Sequence, residues 1–318
     1  MKDYEPDCLG IELSGICNCS CIYCPFHGLG NCKEGQKSLM SWDTLNAVIE
    51  QIRKIPSIKR LSTTGAGEIF MHPEWYEMLQ LFFKKTGIKE VNIYTNGMLL
   101  NEKNIEKLLM LNVEKLELEV SIDGKSAEEN DYYRVGSHYE KVKANMKLLE
   151  ERINQENLNS RVTIIITNCY PITEQNLKKI NYKINSKIAE VPPFLKKDFP
   201  NVVLVSQNTF LYKTDDNAEK LKKLKSQKVS WPDDFYHRCV NLFHRLAINN
   251  RGELLRCSCG HAGIEGIGDV FSDDIYKLWK SDEKMNLARE HFVLGDRTMD
   301  FCEGCPGKGI GEYYLFIE

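Results

Sequence analysis

Three cysteines near the start of the chain, Cys17, Cys21 and Cys24, have the residue type and spacing for metal chemistry. Thiolates bind zinc and iron–sulfur clusters, and three of them on one short loop can hold three corners of a cubane cluster. The fourth iron would then lack a protein ligand and be open to a small molecule. The alternative is a zinc knuckle with His27 as fourth ligand, although closed zinc sites more often use a Cys-x2-Cys spacing.

A second group of four cysteines lies in the C-terminal part of the chain: Cys239, Cys257, Cys302 and Cys305. Four thiolates suit either a zinc ribbon or a fully ligated iron–sulfur cluster, and their spacing alone does not distinguish the two metals. Cys259 and His261 follow Cys257 closely. Either is a candidate for an alternative ligand or for a donor of a hydrogen atom or proton.

The composition of the chain argues against several classes of protein. Its 318 residues are 42% hydrophobic and 27% charged, with a formal charge of -3, whereas a nucleic-acid-binding domain is normally strongly basic. No apolar run approaches the roughly 20 residues that cross a bilayer. We therefore expect a cytoplasmic globular protein without a nucleic-acid or membrane partner. The grouping of its twelve cysteines indicates metal or redox chemistry rather than disulfides.

The elements that must position these cysteines alternate between short apolar runs and amphipathic stretches, from residue 8 to about residue 210. This alternation is typical of β/α units around a parallel sheet. Helices are predicted at 44–53, 74–84 and 139–153. The predicted strands span 9–13, 59–63, 90–94, 115–122, 162–167 and 202–206. Six such units predict an α/β fold, a partial (β/α)6 TIM-like barrel.

The predicted strand 115–122 has one apolar and one polar face. Its apolar residues are Leu116, Leu118, Val120 and Ile122, and they alternate with Glu117, Glu119, Ser121 and Asp123. If helices cover the apolar face, the polar face lines the barrel interior and indicates a ligand cavity rather than a filled core. Glu119 and Asp123 are therefore candidate catalytic residues. The alternative is an antiparallel strand whose polar face meets solvent.

The C-terminal part of the chain is predicted to form a small separate domain. The turn signal Asn249-Asn250-Arg251-Gly252 lies between two short apolar runs and predicts a β-hairpin at 245–256. We expect the barrel to span residues 1–212, a lysine-rich linker to span 213–238, and a cysteine-rich hairpin-plus-helix domain to span 239–318.

The loop of Cys17, Cys21 and Cys24 follows the first predicted strand and has an aromatic residue, Tyr23, before its third cysteine. In these features the chain resembles the radical S-adenosylmethionine (SAM) superfamily. The resemblance implies a 4Fe-4S cluster on the three cysteines, with SAM as the ligand of the open iron and Tyr23 beside it.

A second segment, Gly65-Ala66-Gly67-Glu68 after the second strand, resembles the GGE segment of that superfamily, which binds the methionine amino group of SAM. Ala66 replaces one glycine, which weakens any argument from close backbone approach. Gly67 and Glu68 still match.

Three further residues match at strand ends or before the next helix. Asn96 resembles a residue near the SAM ribose, and Ser121 resembles one near the ribose or carboxylate. Arg134 resembles an arginine that pairs with the SAM carboxylate. A guanidinium suits that task because its planar fork meets two oxygens.

The spacing Cys239-x12-Gly252-x4-Cys257, with Cys302-x2-Cys305 after it, resembles the start of the SPASM/twitch group. The resemblance implies an auxiliary 4Fe-4S cluster on these four cysteines. Too few cysteines remain for the full pattern, so the shorter twitch domain with one cluster is expected. Cys259 is the candidate there for a catalytic role.

The resemblance implies an oxidoreductase that cleaves SAM to a 5′-deoxyadenosyl radical, removes a hydrogen atom from its substrate and takes electrons from a donor such as flavodoxin or ferredoxin. The barrel begins near residue 8, so we expect no N-terminal peptide-recognition domain, which favours a small polar, sugar- or cyclitol-like substrate. The alternatives are a maturase of a ribosomally made peptide and, in another class, a non-catalytic metal-binding or electron-transfer protein.

Overall fold

The computed structural model describes residues 5–22, 24, 26–28, 37–63, 65–170, 192–208, 240–257 and 266–293. Within these residues, nine strands form one sheet, with the order β6-β5-β4-β3-β2-β1-β7-β8-β9. The strands are β1 Cys8–Ile11, β2 Arg60–Thr63, β3 Glu90–Thr95, β4 Lys115–Ser121, β5 Val162–Tyr170, β6 Val203–Asn208, β7 Arg245–Ile248, β8 Glu253–Leu255 and β9 Gly266–Asp269. The helices are α1 Trp42–Ile52, α2 Trp75–Thr86, α3 Glu102–Leu109, α4 Ala127–Tyr133, α5 Tyr139–Gln155, α6 Pro193–Asp198, α7 Val240–Phe243, α8 Ile275–Ser281 and α9 Glu283–Val293.

Strands β1 to β6 pair in sequence order, and every pair is parallel. Helices lie between successive strands, as the crossover between parallel strands requires. The predicted partial (β/α)6 barrel is confirmed, and each of the six predicted strands is present. The antiparallel alternative for strand 115–122 is wrong, because β4 runs parallel to both β3 and β5.

Local sequence signals account for the ends of several helices. Ser41 caps the start of α1 by accepting the Thr44 N–H at 3.0 Å, and Asn101 caps α3 through Asn104 in the same way. Helix α2 ends at Gly87, whose φ of 74° lies in the left-handed region that favours glycine. These ends set the short connections that return the chain to the sheet.

The outer face of the barrel sheet is apolar and covered by helices. Leu116, Leu118 and Val120 of β4 are fully buried there. Helix α5 contributes the stripe Val142, Met146, Leu149 and Ile153, all buried, as the helical periodicity predicts. This layer is the main hydrophobic core, and it fixes the strands whose opposite face lines the interior.

The inner face of the sheet carries a row of polar residues. The strand register places Ser62, Asn92, Glu117 and Thr163 side by side across β2 to β5. Glu119 and Ser121 lie one and two layers further toward the carboxyl edge of β4, on the same face. The predicted polar interior is therefore present.

The predicted hairpin is confirmed as β7 and β8, which pair antiparallel. Its turn ends at Gly252, which has a φ of 88° and donates its N–H to the Asn249 carbonyl at 3.1 Å. Strand β7 also pairs parallel with β1, from Cys8 opposite Arg245 to Ile11 opposite Ile248. The hairpin thus extends the barrel sheet, which the sequence did not predict. The linker 213–238 lies outside the described residues.

Within the described ranges, no helix has the length and apolarity needed to cross a membrane.

Candidate active site

The loop of Cys17, Cys21 and Cys24 leaves the carboxyl end of β1 and is held on both sides by backbone hydrogen bonds. On one side, the Gly15 N–H donates to the Ser38 carbonyl at 2.8 Å. On the other, the Ser20 N–H donates to the Val135 carbonyl at 2.7 Å, and the Ile22 N–H donates to the Tyr133 carbonyl at 2.9 Å. The loop is therefore tied to the last residue of α4 and to the residues just after it.

The cysteines of this loop differ in their acidity. Hydrogen bonds from the thiol and backbone N–H of Cys19 lower the pKa of Cys17 to about 6, with Arg134 and Asn96 acting in the same direction. The same contact raises the pKa of the Cys19 thiol far above its ordinary value. Burial raises the pKa of Cys21 to about 11. Among Cys17, Cys19 and Cys21, the thiol that ionises most readily is therefore that of Cys17.

Backbone N–H groups point at two of the sulfur atoms. The Cys19 N–H lies 3.4 Å from the Cys17 Sγ, and the His27 N–H lies 3.4 Å from the Cys24 Sγ. Such donors stabilise a thiolate over a thiol. Among the residues with described positions, no group of three or more His, Cys, Asp or Glu side chains is arranged around a common metal position.

The segment Gly65–Glu68 after β2 lies directly against the cysteine loop. The Glu68 N–H donates to the Ile16 carbonyl at 2.8 Å. A Cβ atom on Gly67 would lie 2.3 Å from the Ser14 carbonyl oxygen and 2.5 Å from that of Ile16. Only glycine fits at that approach, so the match at Gly67 reflects the packing of two backbones.

The Glu68 carboxylate is buried and accepts hydrogen bonds from the end of β3. The Thr95 hydroxyl and the Asn96 N–H donate to its two oxygens, each at 2.8 Å. Burial raises the pKa of Glu68 to about 7. The carboxylate therefore joins the predicted SAM segment to Asn96.

Asn96 brings the end of β3 to the cysteine loop. Its Nδ2 donates to Asn18 Oδ1 at 2.8 Å and lies 3.9 Å from the Cys17 Sγ. Its own Oδ1 accepts the Met98 N–H. Three protein contacts therefore orient the Asn96 side chain, which lies close to the cysteine loop.

The polar residues at the end of β4 form two separate contacts. Asp123, 1% exposed, accepts a hydrogen bond from Arg134 Nη1 at 2.8 Å. Glu119, two layers deeper than Asp123, accepts the Thr167 hydroxyl at 2.5 Å. Ser121 is half-buried at the carboxyl end of the strand. Asp123 and Arg134, predicted to have independent roles, are therefore an ion pair.

Cys257 is the member of the second cysteine group that the structure describes. It is buried at the end of the β7–β8 hairpin. Its neighbour Arg256 forms a two-point ion pair with Asp282, through Nε at 3.1 Å and Nη2 at 3.2 Å. This pair anchors the end of the hairpin to Asp282, the residue that joins α8 to α9. Six predicted site residues lie outside the described residues: Tyr23, Cys239, Cys259, His261, Cys302 and Cys305.

Glu12, just after β1, belongs to this site and was missed by sequence reasoning. Its carboxylate accepts the Ala66 N–H at 2.5 Å and also the Asn250 N–H. The sequence feature that could have identified Glu12 is the alternation of side chains in β1, which places Gly10 and Glu12 on the inner face.

The decisive comparison is with protein families: residues 11–181 match the family model of the radical SAM superfamily. The chain belongs to the radical SAM superfamily. The match covers more than half of the chain, from β1 through β5.

Individual radical SAM proteins and structures are also similar to this chain. The antilisterial bacteriocin subtilosin biosynthesis protein AlbA of Bacillus subtilis (strain 168) is 31% identical, over 94% of this chain and 67% of its own length. The crystal structure of BtrN in complex with AdoMet and 2-DOIA has a TM-score of 0.56 at 15% identity, over 96% of this chain and 94% of BtrN. Streptococcus suis SuiB bound to S-adenosylmethionine has a TM-score of 0.59 at 16% identity, over 97% and 75%. At these identities the two structures bear on the fold alone.

Membership in the radical SAM superfamily implies a 4Fe-4S cluster and SAM. The chemistry of the loop fits a cluster, since it offers three thiols, a Cys17 pKa of about 6 and N–H donors to the sulfurs. The segment Gly65–Glu68, Asn96 and Arg134 surround this loop at the carboxyl edge of the sheet, where ligands of parallel α/β folds bind.

Proposed function

We propose that this radical SAM enzyme cleaves SAM reductively to a 5′-deoxyadenosyl radical and abstracts a hydrogen atom from a small polar substrate. The observation that carries the proposal is the placement of Cys17, Cys21 and Cys24 beside Gly65–Glu68 and Asn96 at one edge of the barrel. When bound, the cluster supplies the electron that breaks the sulfur–C5′ bond of SAM.

The residues of the chain would bind and orient the two groups. In this proposal Cys17, Cys21 and Cys24 hold the cluster, and Gly65–Glu68 contacts the methionine end of SAM. Arg134 would meet the SAM carboxylate with its guanidinium, while Asp123 holds that guanidinium in place at 2.8 Å. The family resemblance also assigns Tyr23, Asn96 and Ser121 to SAM.

The polar inner face of the sheet supports a small polar substrate. Glu119, buried and hydrogen-bonded to Thr167, and Asp123 are the candidates for contacts to hydroxyl or amino groups. We favour dehydrogenation of a sugar- or cyclitol-like molecule. The similarity to BtrN, whose crystal structure contains AdoMet and 2-DOIA, agrees with this choice.

A second 4Fe-4S cluster belongs to the same proposal. Cys239, Cys257, Cys302 and Cys305 would hold it in a twitch domain that spans residues 239–318, behind a barrel of residues 1–212 and a linker. The buried position of Cys257, beside the Arg256–Asp282 ion pair, supports a rigid ligand there. Cys259 remains the candidate for a catalytic role near that cluster.

A peptide substrate is the second candidate, and two relatives favour it. AlbA, 31% identical to this chain, is named for the biosynthesis of the bacteriocin subtilosin. A structure of SuiB contains its precursor peptide SuiA. If this chain acts in the same way, a ribosomally made peptide would enter the polar interior instead of a sugar.

The assay that tests the function is formation of 5′-deoxyadenosine by anaerobically purified protein with SAM and dithionite, flavodoxin or ferredoxin. Deuterated cyclitols, sugars and candidate peptides are added separately, and mass spectrometry measures deuterium in the 5′-deoxyadenosine. We expect about eight irons per chain for two cubane clusters and deuterium transfer from one substrate class.

The variants Cys17→Ala, Cys21→Ala and Cys24→Ala should each abolish 5′-deoxyadenosine formation. Cys8→Ala is the matched control, because Cys8 is buried like Cys21 but lies within β1, and it should retain the activity. Colourless protein with stoichiometric zinc would support a non-catalytic metalloprotein, and iron-replete protein that never cleaves SAM would support an electron carrier.

A further inference from the structure

Glu12 lies at the meeting point of three parts of the molecule. Its N–H donates to the Ile248 carbonyl of β7 at 3.0 Å. Its carboxylate accepts the N–H of Ala66, from the segment after β2, at 2.5 Å, and that of Asn250, from the β7–β8 turn. One side chain therefore ties the end of β2 to the hairpin, across β1.

The contact with the segment after β2 is close-packed as well as polar. A Cβ atom on Gly65 would lie 2.3 Å from a carboxylate oxygen of Glu12 and 2.4 Å from its Cγ. The Glu12 side chain thus lies flat against Gly65 and reaches the Ala66 N–H. A glycine is therefore needed at position 65 to make room for the Glu12 side chain, whether or not a ligand also requires one there.

Two hydrogen bonds orient the peptide groups on either side of the 66–67 peptide bond. The Ala66 N–H points to Glu12, and the Glu68 N–H points to the Ile16 carbonyl. Because a peptide group is planar, each bond fixes the direction of a whole peptide unit. Glu12 therefore fixes the orientation of the 65–66 peptide unit in the segment that we assign to SAM.

The hairpin end of the bridge is anchored independently. Asn250 is buried, and its Nδ2 donates to the Ser38 carbonyl at 2.6 Å and lies 3.0 Å from the Ser38 hydroxyl. The Ser38 carbonyl also accepts the Gly15 N–H from the cysteine loop. These bonds hold the β7–β8 turn in place, so Glu12 can position Ala66 relative to that turn.

We propose that Glu12 is a positioning residue that sets the backbone of the SAM-binding segment and couples it to the hairpin leading to Cys257. The assignment rests on the proposed function only in naming SAM as the ligand of that segment. Burial raises the pKa of the Glu12 carboxyl to about 7, although the hydrogen bonds from the Ala66 and Asn250 N–H groups and the charge of Arg251 lower it.

The test is the variant Glu12→Gln, compared with Glu150→Gln. Glu150 is also a half-buried carboxyl whose pKa is raised by burial, but it lies on α5, away from the site. A glutamine keeps one acceptor and turns an NH2 toward the second backbone N–H, so one arm of the bridge is lost. Equilibrium dialysis of the anaerobic, iron-loaded proteins measures the dissociation constant for SAM, and iron is counted on the same samples.

We expect Glu12→Gln to bind SAM about tenfold more weakly, the size of effect for one charge-assisted hydrogen bond, with its iron content unchanged. Hydrogen–deuterium exchange on the iron-free proteins should be faster in at least one of the peptides covering 65–68 and 249–252, the one whose N–H loses its acceptor. Glu150→Gln should match the wild type in all three measurements.

Affinity within twofold of the wild type, or unchanged exchange in both peptides, would overturn the assignment. So would loss of iron in proportion to SAM binding, since that indicates general disruption. If Glu12→Gln does not fold, Glu12→Asp decides with the same measurements, because a side chain one methylene shorter keeps the charge and cannot span both donors. Failure of the proposed function would show separately, as wild-type protein that binds no SAM.

Discussion

At the scale of single residues, the side chains of the site hold one another before they hold a ligand. Glu68 joins the segment after β2 to the end of β3, and Asp123 holds Arg134. The sequence predicted these residues at strand ends but not their pairing. Partners of a buried carboxylate depend on which strand ends meet in space, and spacing along the chain does not report that.

Breaking the Asp123–Arg134 ion pair distinguishes a positioning role of Asp123 from a catalytic role. In Asp123→Asn, a buried guanidinium with 11% exposure loses its counter-charge, which is destabilising by about 3 kcal/mol. We expect a lower melting temperature and a KM for SAM raised by roughly tenfold, about the effect of one charge-assisted hydrogen bond, with kcat changed little. Steady-state kinetics of 5′-deoxyadenosine formation measure both constants.

The control is Glu128→Gln, a fully exposed carboxylate in the first turn of α4, which should change neither constant. A fall in kcat at unchanged KM would instead support the catalytic role predicted for Asp123.

The pH dependence of stability reports on Glu12. Burial raises its pKa from 4.5 to about 7, so between these values the folded protein holds a proton that the unfolded chain has released. This contribution to the free energy of unfolding is complete below about pH 4.5 and is lost as the pH rises through 7. The melting temperature of iron-free wild type, relative to Glu12→Gln, should therefore increase from pH 8 to pH 5.5. A difference that stays constant or reverses would refute the raised pKa.

At the scale of elements, the β/α alternation could be predicted from the sequence because helices cover one face of each strand. The stripe of α5 and the alternation of β4 both follow from that burial. The pairing of β7 with β1 could not be predicted from the sequence. A short apolar strand that follows the barrel by more than thirty residues carries no sign of which edge it joins, since β pairing over such a distance is decided by the folded sheet.

The contact between two backbone segments makes Gly67 a sensitive position. In Gly67→Ala the new methyl group would meet the Ser14 carbonyl at 2.3 Å, and neither backbone can yield without moving the cysteine loop. We expect loss of SAM binding and at least a tenfold fall in 5′-deoxyadenosine formation, on the scale of overpacking, which costs about 1 to 3 kcal/mol.

Gly87→Ala is the matched control for Gly67→Ala. Its φ is 74°, with no atom within 4 Å of a new Cβ, so only left-handed strain of about 1 kcal/mol is added. It should lower the melting temperature and leave SAM binding intact. Equal loss of SAM binding in both variants would show that the effect at Gly67 is general destabilisation.

At the scale of the whole molecule, the nine-stranded sheet brings the barrel and the C-terminal hairpin into one continuous structure. Strand β1 is central to it, since β2 lies on one side, β7 on the other, and the cysteine loop begins at its end. The predicted cluster loop, the predicted SAM segment and the hairpin before Cys257 thus share one strand as their support. In the proposed function, this arrangement would hold the second cluster site at a fixed place relative to the first.

The measurement that tests the central claim most directly is electron–nuclear double resonance of the reduced protein with SAM labelled by 15N and 17O in its methionine amino and carboxylate groups. The account predicts hyperfine coupling of both labels to a 4Fe-4S signal in the wild type and in Cys8→Ala, and no such coupling in Cys17→Ala. An iron–sulfur signal without coupling to either label in the wild type, or zinc in place of iron, would contradict it.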